Sequence, residues 1–441
     1  MTRDLYRIRR GREEESMNRR NFIKTVAAAA PYVITTAALG NAHRAPASDR
    51  INVGFIGTGI RGGDGLIKNF LKQDDCQCVA VCDTFRDRRE QRAKQINDFY
   101  AGKSGSAGYK SVAMIADFRD LLHRSDIDAV CIATPDHWHV PILVAAARAG
   151  KDVYVEKPLS PSIQQDFLAR SVIHQTKRVF QYGTQQRDAA HVRFGCELVR
   201  SGRIGNIREV EVIAPTGAPG GSTAPMPVPE GFDYEMWQGP APERPYNDDR
   251  CLRPGHYHIY DYSIGFLGGW GAHPLDVLDW GLPTPMVPVE YEGTGLIPAE
   301  GLYNTVMNWE VRGKYQNGMT LTFRTGSDST KFVGADGWIM ISRREIKSEP
   351  ASLTAGFGPP SRFSTMETGH ARNFLDAVKK QAEPSSPIDS AVRSDLISHL
   401  SNIAVRTGRS IKWDPVNEKI VGDNEASRMM DRPSRPPWDI V

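Results

Sequence analysis

From residue 51 the chain alternates short apolar runs with longer mixed stretches. Ile51–Ile56, Cys78–Cys82, Asp128–Thr134, Asp152–Val155 and Val179–Tyr182 are nearly unbroken apolar runs. Runs of that length without polar alternation suit strands buried on both faces of a sheet. Between them lie a charged segment, Arg86–Tyr100, a Gly/Ser loop over Ala101–Gly108, a short helix signal at Phe118–Leu122 and an apolar helix signal at Val140–Ala149 that stops at Gly150. Strands alternating with helices predict a parallel sheet over residues 50–183.

The pattern changes from about Ile207. Arg208–Ile213 alternates like a half-exposed strand, and a Pro/Gly-rich loop spans Pro215–Gly231. Thr305–Val311, Met319–Arg324 and Trp338–Ser342 read as antiparallel strands, and helices return at Thr365–Lys380 and Ile388–Thr407. The fold expected is an α/β N-terminal domain (50–183) joined to an α+β C-terminal domain (184–413) with a large, mainly antiparallel open sheet. A tail rich in Pro and charge (414–441) is expected to wrap the surface. No internal repeat is visible.

Charge changes the picture only at the start. Residues 1–24 hold eight Lys/Arg and four Asp/Glu, so the net +3 of the 441-residue chain originates there and the remainder is near −1. That gives no electrostatic case for nucleic acid. Arg19-Arg20-Asn21-Phe22-Ile23-Lys24, the apolar stretch Val26–Leu39, and small residues at Ala42 and Ala45-Pro46-Ala47 read as an export leader over 1–47, with Met17 as an alternative start. The paired arginines resemble a twin-arginine (Tat) signal. An exported, periplasmic protein delivered by the Tat machinery is expected, with an uncleaved membrane tether as the other outcome. Six cysteines, none in C-x-x-C spacing, are read as buried reduced thiols, and no metal site is expected.

The candidate chemistry begins where the first strand ends. Gly57-Thr58-Gly59-Ile60-Arg61-Gly62 is G-x-G-x-x-G between a strand and a helix. Gly57 permits the tight turn, Gly59 lets the backbone approach a pyrophosphate, and Gly62 lets the helix pack close with its N-terminus toward the phosphates. A second strand ending in an acid about 20 residues on completes the dinucleotide pattern, and Asp83 supplies it. A carboxylate there accepts both ribose hydroxyls and repels a 2′-phosphate. NAD is therefore favoured, with NADP kept as the alternative because Arg86 lies nearby.

Thr134-Pro135-Asp136-His137-Trp138-His139 follows the fourth strand candidate, where loops line the ligand crevice. His139 is placed to reach cofactor or substrate; Asp136 as a helix cap and Trp138 as a packed aromatic are equal readings. Glu156-Lys157-Pro158 follows the next strand. A buried lysine there would have a lowered pKa suited to proton transfer, although on spacing alone a surface Lys–Glu pair reads as well. Gln185, Gln186 and Arg187, and the cluster Tyr257, His258, Tyr260 and Asp261, read either as carbohydrate contacts or as structural loops.

These motifs, with Trp237-Gln238-Gly239-Pro240-Ala241-Pro242 and Gly269-Trp270-Gly271-Ala272-His273-Pro274-Leu275-Asp276, together resemble the Gfo/Idh/MocA oxidoreductase family over about residues 50–415. The resemblance implies a Rossmann domain binding NAD or NADP through Gly57, Gly59, Ile60, Gly62, Asp83, Thr134, Pro135, His139, Glu156 and Lys157. It implies a sugar, cyclitol or glycoside against the C-terminal sheet, contacted by Arg187, Tyr257, Asp261, His273 and Asp276. His273 is the expected base and Lys157 its electrostatic partner. Many dehydrogenases of the family carry Asp four residues before this histidine; here that position is Gly269, for which Asp276, Asp261 or His258 are candidate substitutes.

The expected activity is hydride transfer between a carbohydrate, cyclitol or glycoside hydroxyl carbon and a tightly held nicotinamide cofactor. An NAD-dependent glycosidase using transient oxidation and elimination is the first alternative. A non-catalytic nucleotide-binding scaffold or sensor is the second. A homo-oligomer is expected from the resemblance.

Overall fold

A computed structural model of the chain describes residues 46–104, 111–252, 254–356 and 363–438. The leader expected over 1–47 lies almost wholly outside the described residues. No helix among them is long and apolar enough to cross a membrane.

The first sheet is parallel. Its strands are β1 (Ile51–Ile56), β2 (Cys76–Cys82), β3 (Ala113–Ile115), β4 (Ala129–Ile132), β5 (Asp152–Val155) and β6 (Phe180–Tyr182), in the order β3-β2-β1-β4-β5-β6. The order reverses between β1 and β4, the switch point at which ligands bind beyond the strand ends of such sheets. All six cysteines are buried and free.

The second sheet comprises β7 (Ile207–Ala214), β8 (Glu290–Leu296), β9 (Asn308–Lys314), β10 (Thr320–Thr325), β11 (Ser329–Gly334), β12 (Trp338–Ile341), β13 (Ile346–Glu349), β14 (Ile411–Asp414) and β15 (Lys419–Val421). Its order is β13-β12-β11-β7-β10-β9-β8-β14-β15. All its pairings are antiparallel except β7 with β10, which run parallel. In β9 alternate residues, Trp309, Val311 and Gly313, are buried while Asn308, Glu310, Arg312 and Lys314 face out. One face of the sheet is therefore packed and the other polar.

Packing does not follow the division expected between 183 and 184. In helix Phe363–Val378, Ala371, Phe374 and Leu375 pack beneath the first sheet with Phe55, Phe70 and Tyr154. Helix Ile388–Thr407 gives Ile388, Ala391 and Val392 to the core of the first sheet, and Leu396, Ile397, Leu400 and Ile403 to that of the second. The predicted tail (414–441) starts at the end of β14 and completes a hairpin, β14–β15, on the sheet edge. It then returns to the first domain, where Trp438 meets Trp138 edge to face at 5.4 Å.

Candidate active site

β1 runs into Gly57, whose φ of +81° is a conformation that favours glycine. A Cβ on Gly57 would stand 2.6 Å from the backbone of Ala133 and Thr134, and one on Gly62 would stand 2.0 Å from the Gly57 carbonyl oxygen. The turn is thus wedged against the end of β4, and the helical segment Ile60–Ile67 is pressed onto it. Gly59 differs: the nearest atom to its Cβ would be the Arg88 guanidinium at 3.5 Å, which leaves space over the turn.

Asp83 closes the far side of this space. One carboxylate oxygen accepts the Thr58 N–H at 2.7 Å and its hydroxyl at 3.2 Å, and the other accepts the Phe85 N–H at 3.1 Å. The guanidinium beside Asp83 is that of Arg88, at 3.9 Å, which also lies 3.8 Å over the Phe85 ring. Arg86 instead turns outward, 3.7 Å from Glu230. A cavity of about 350 Å³ is lined by Gly57, Gly59, Ile60, Asp83, Thr134 and Pro135. A glycine turn with open space, the start of a helix and an acid opposite fit a dinucleotide.

A second cavity, about 370 Å³, shares Ile60, Arg61, Ala133, Thr134 and Tyr257 with the first. Lys157, His273, Glu156, His139, Gln185 and Asp136 line it. Lys157 follows β5, and its ammonium donates to the Gly269 carbonyl at 2.7 Å. Burial lowers the Lys157 pKa, against the pull of the Glu156 and Asp136 carboxylates. His273 sits in the first turn of helix Ala272–Gly281, only 4% exposed. Burial above all, and then the charges of Arg343, Lys157 and Arg61, hold its pKa well below the ordinary histidine value. At neutral pH the imidazole is therefore uncharged and able to accept a proton. Its Nδ1 has no hydrogen-bond partner among the described residues.

Glu156 is held by Arg61 at 2.6 Å and by the Gln185 amide at 3.1 Å, and Arg61 reaches on to Glu367. His139 joins two loops: its ring nitrogens stand 2.7 Å from the Pro158 carbonyl and 2.9 Å from that of Thr134.

Three expected substrate contacts are spent elsewhere. Arg187 and Asp276 form a buried two-point ion pair at 2.7 Å, with side chains 4% and 0% exposed, and neither lines either cavity. Asp261 pairs with Arg244 at 2.8 Å and likewise faces neither cavity. A sequence offers polar residues near a motif; it does not say that two of them will neutralise one another in the core. Asp276 and Asp261 are thus not poised beside His273 in place of the missing carboxylate. Sequence reading also passed over Arg61 as a charge bridge, and Glu367 and Arg343 altogether. Arg61 lies inside the glycine motif and was open to notice. Arg343, between β12 and β13 and 5.0 Å from the Trp270 ring, belongs to no motif.

A family profile described as an oxidoreductase family NAD-binding Rossmann fold matches residues 51–184, and one described as the oxidoreductase family C-terminal alpha/beta domain matches residues 219–440. The chain belongs to the Gfo/Idh/MocA oxidoreductase family. Its first sheet is the NAD-binding domain of a Gfo/Idh/MocA protein, and the glycine turn and Asp83 lie within the matched residues. Among curated relatives, a glycosyl hydrolase family 109 protein of Shewanella pealeana is 31% identical over 165 residues, 34% of this chain and 35% of that protein. The match thus spans about a third of that relative's length. Among solved structures, the scyllo-inositol dehydrogenase of Lactobacillus casei with NAD(H) and scyllo-inositol superposes with a TM-score of 0.59 at 17% identity, covering 82% of this chain and 99% of that one. A levoglucosan dehydrogenase with NADH and levoglucosan gives 0.61 at 15% identity, with 82% and 99% covered. At such identities these two structures share the Gfo/Idh/MocA fold with this chain.

Proposed function

We propose that this protein is an exported oxidoreductase that moves a hydride between a carbohydrate, cyclitol or glycoside hydroxyl carbon and a tightly held NAD. The observation that carries this reading is the placement of Lys157 and neutral His273 in one cavity that shares a wall with the glycine-turn cleft. Bound there, NAD would supply the acceptor, or NADH the donor, of the hydride exchanged with the carbinol carbon. Gly57, Gly59, Gly62 and Asp83 would hold the dinucleotide, with Thr134 and Pro135 along its edge. In the oxidative direction His273 takes the hydroxyl proton. The Lys157 ammonium, fixed by Gly269, stabilises the oxygen as its charge grows. Tyr257, at the wall shared by both cavities, and Gln185 are the substrate contacts of this reading.

The family 109 relatives favour a second reading for the same site: oxidation, elimination of an aglycone, addition of water to the resulting double bond and re-reduction, with no net redox change. Export through the Tat route, carrying a folded protein with its nucleotide, and assembly into a homo-oligomer complete the proposal.

The test is to purify the chain after residue 47, identify any nucleotide released on denaturation, and follow the near-ultraviolet absorbance of reduced nicotinamide across a panel of sugars and glycosides. Reduction of bound NAD by one sugar supports the oxidoreductase. Hydrolysis without an oxidised product moves the assignment to the glycosidase. Absence of any nucleotide binding overturns both.

A further inference from the structure

Directly after Lys157 the backbone enters a buried polar cluster. Leu159 N–H donates to Asp395 at 2.5 Å, and the other Asp395 oxygen accepts the Tyr182 hydroxyl at 2.6 Å. The Ser160 hydroxyl donates to Asp166 at 2.6 Å, and the second Asp166 oxygen lies 3.3 Å from His399 Nε2. His399 also hydrogen-bonds the Ser160 backbone. Asp395 and His399 stand four residues apart on helix Ile388–Thr407, hence on one face of it, while Asp166 comes from helix Ile163–Thr176. Asp166, Asp395, His399, Tyr182 and Ser160 are at most 3% exposed.

The donor atoms of Asp166, Asp395 and His399 lie within 4.8 Å of one another, close enough to suit a cation. Three of its four carboxylate oxygens are nevertheless taken by hydrogen bonds within the cluster and its surroundings. Both Asp395 oxygens and one Asp166 oxygen already accept hydrogen bonds, while Asp166 Oδ2 and His399 Nε2 face each other at 3.3 Å without a hydrogen-bond partner among the described residues. Burial, then the neighbouring Asp166, pushes Asp395 up to about 8, and burial pushes His399 down to about 4. Burial thus favours the uncharged form of both groups.

We infer that Asp395, with Asp166 and His399, is a positioning cluster that fixes the backbone behind Lys157 and so aims its ammonium across the cleft at Gly269. His139 Nδ1 also stands 2.7 Å from the Pro158 carbonyl. The segment 158–160 is thereby held at each of its three residues. The lysine departs from an anchored backbone, although its own side chain has four rotatable carbons. This inference rests on the role proposed for Lys157.

The experiment compares Asp395→Ala and Asp395→Asn in the full chain with its cofactor. The first readout needs no substrate: the rate at which an amine-specific reagent modifies Lys157, mapped by peptide mass spectrometry. Asp395→Ala is expected to raise that rate at least about fivefold, and Asp395→Asn, which keeps an acceptor for Leu159, to stay within about twofold. The second is turnover: Asp395→Ala is expected to lower kcat about 10–100-fold with KM little changed, as a misplacement of about 1 Å would. In a Lys157→Ala background the same substitution should cost almost nothing more. A folded Asp395→Ala protein with wild-type Lys157 reactivity overturns the inference. So does an equal loss of turnover in the Lys157→Ala background. Should the alanine variant not fold, Tyr182→Phe removes one anchor and is read in the same way. If no carbohydrate is turned over by the wild type, the proposed function fails while the reactivity arm still decides the positioning.

Discussion

The Lys157 ammonium donates to the backbone carbonyl of Gly269 at 2.7 Å, joining the end of β5 to the glycine run four residues before His273. This bond spans the two cores. It places the cation proposed to stabilise the reacting oxygen against the segment that carries the proposed base. Lys157→Met keeps the length of the side chain and removes the charge. It is expected to lower kcat by about 10²–10³-fold, the range for losing a group that stabilises a developing oxyanion. Co-purified nucleotide, measured after denaturation, should stay near wild type, because the glycine turn and Asp83 are untouched.

His273 sets the acid limb. Its pKa lies well below the ordinary value because charging it would bury a cation beside Arg343, Lys157 and Arg61. As pH falls through that lowered pKa the base is lost, so the decline in kcat/KM should start well below about 6.5, the ordinary histidine value. His273→Asn should abolish the limb along with most of the rate. His137, buried and pushed down to about 4, gives the fold a stability that is full above about 6.5 and drains as pH falls through the lowered value. The profile is therefore read only where circular dichroism shows a folded protein.

The alternation of β1, β2, β4, β5 and β6 with helices was legible because both-face burial leaves uninterrupted apolar runs, and Asp152–Val155 and Ile388–Thr407 match the observed bounds, whereas β3, three residues long and partly exposed, was not. β11, β13 and β15 were not legible: Ser329–Gly334, Ile346–Glu349 and Lys419–Val421 are short, polar on one side, and owe their form to the neighbour they pair with. The same holds at the site. Glycines and strand-end residues announce themselves because the backbone needs them. Glu367 and Arg343 arrive from distant segments, where only tertiary packing brings them to the cleft.

Arg187 is the sharpest case. Read from sequence it is a sugar contact; in the fold it neutralises Asp276 in the core. Removing one member of such a pair leaves an uncompensated buried charge. Arg187→Met is expected to cost about 3–5 kcal/mol of stability, seen in urea unfolding, with KM for the substrate unchanged in the folded fraction. A large rise in KM at unchanged stability would return Arg187 to the substrate.

Cofactor choice turns on Asp83 and Arg88. The Asp83 carboxylate pins Thr58 and Phe85 and lines the first cavity, so a 2′-phosphate would meet a fixed negative charge. NAD is expected to bind at least about tenfold more tightly than NADP, a difference of about 1.4 kcal/mol, by equilibrium dialysis against the stripped protein. Asp83→Asn should narrow that ratio, and Arg88→Ala should widen it by removing the nearest cation.

Gly269 offers the most direct test of how the base is tuned. Its neighbours have no room: a Cβ on Gly268 would stand 2.5 Å from Ile264, and one on Gly271 would stand 2.0 Å from the Leu267 carbonyl oxygen. A Cβ on Gly269 meets nothing within 4 Å. Gly269→Asp should therefore fold with a melting temperature near wild type, and it restores the carboxylate that many dehydrogenases of the family carry there. That carboxylate would join a site where Arg343, Lys157 and Arg61 now act together on His273. A negative charge favours the protonated imidazole, so the acid limb of kcat/KM should move to higher pH. A limb that does not move, in a folded variant, would mean that position 269 acts on Lys157 through its backbone carbonyl alone.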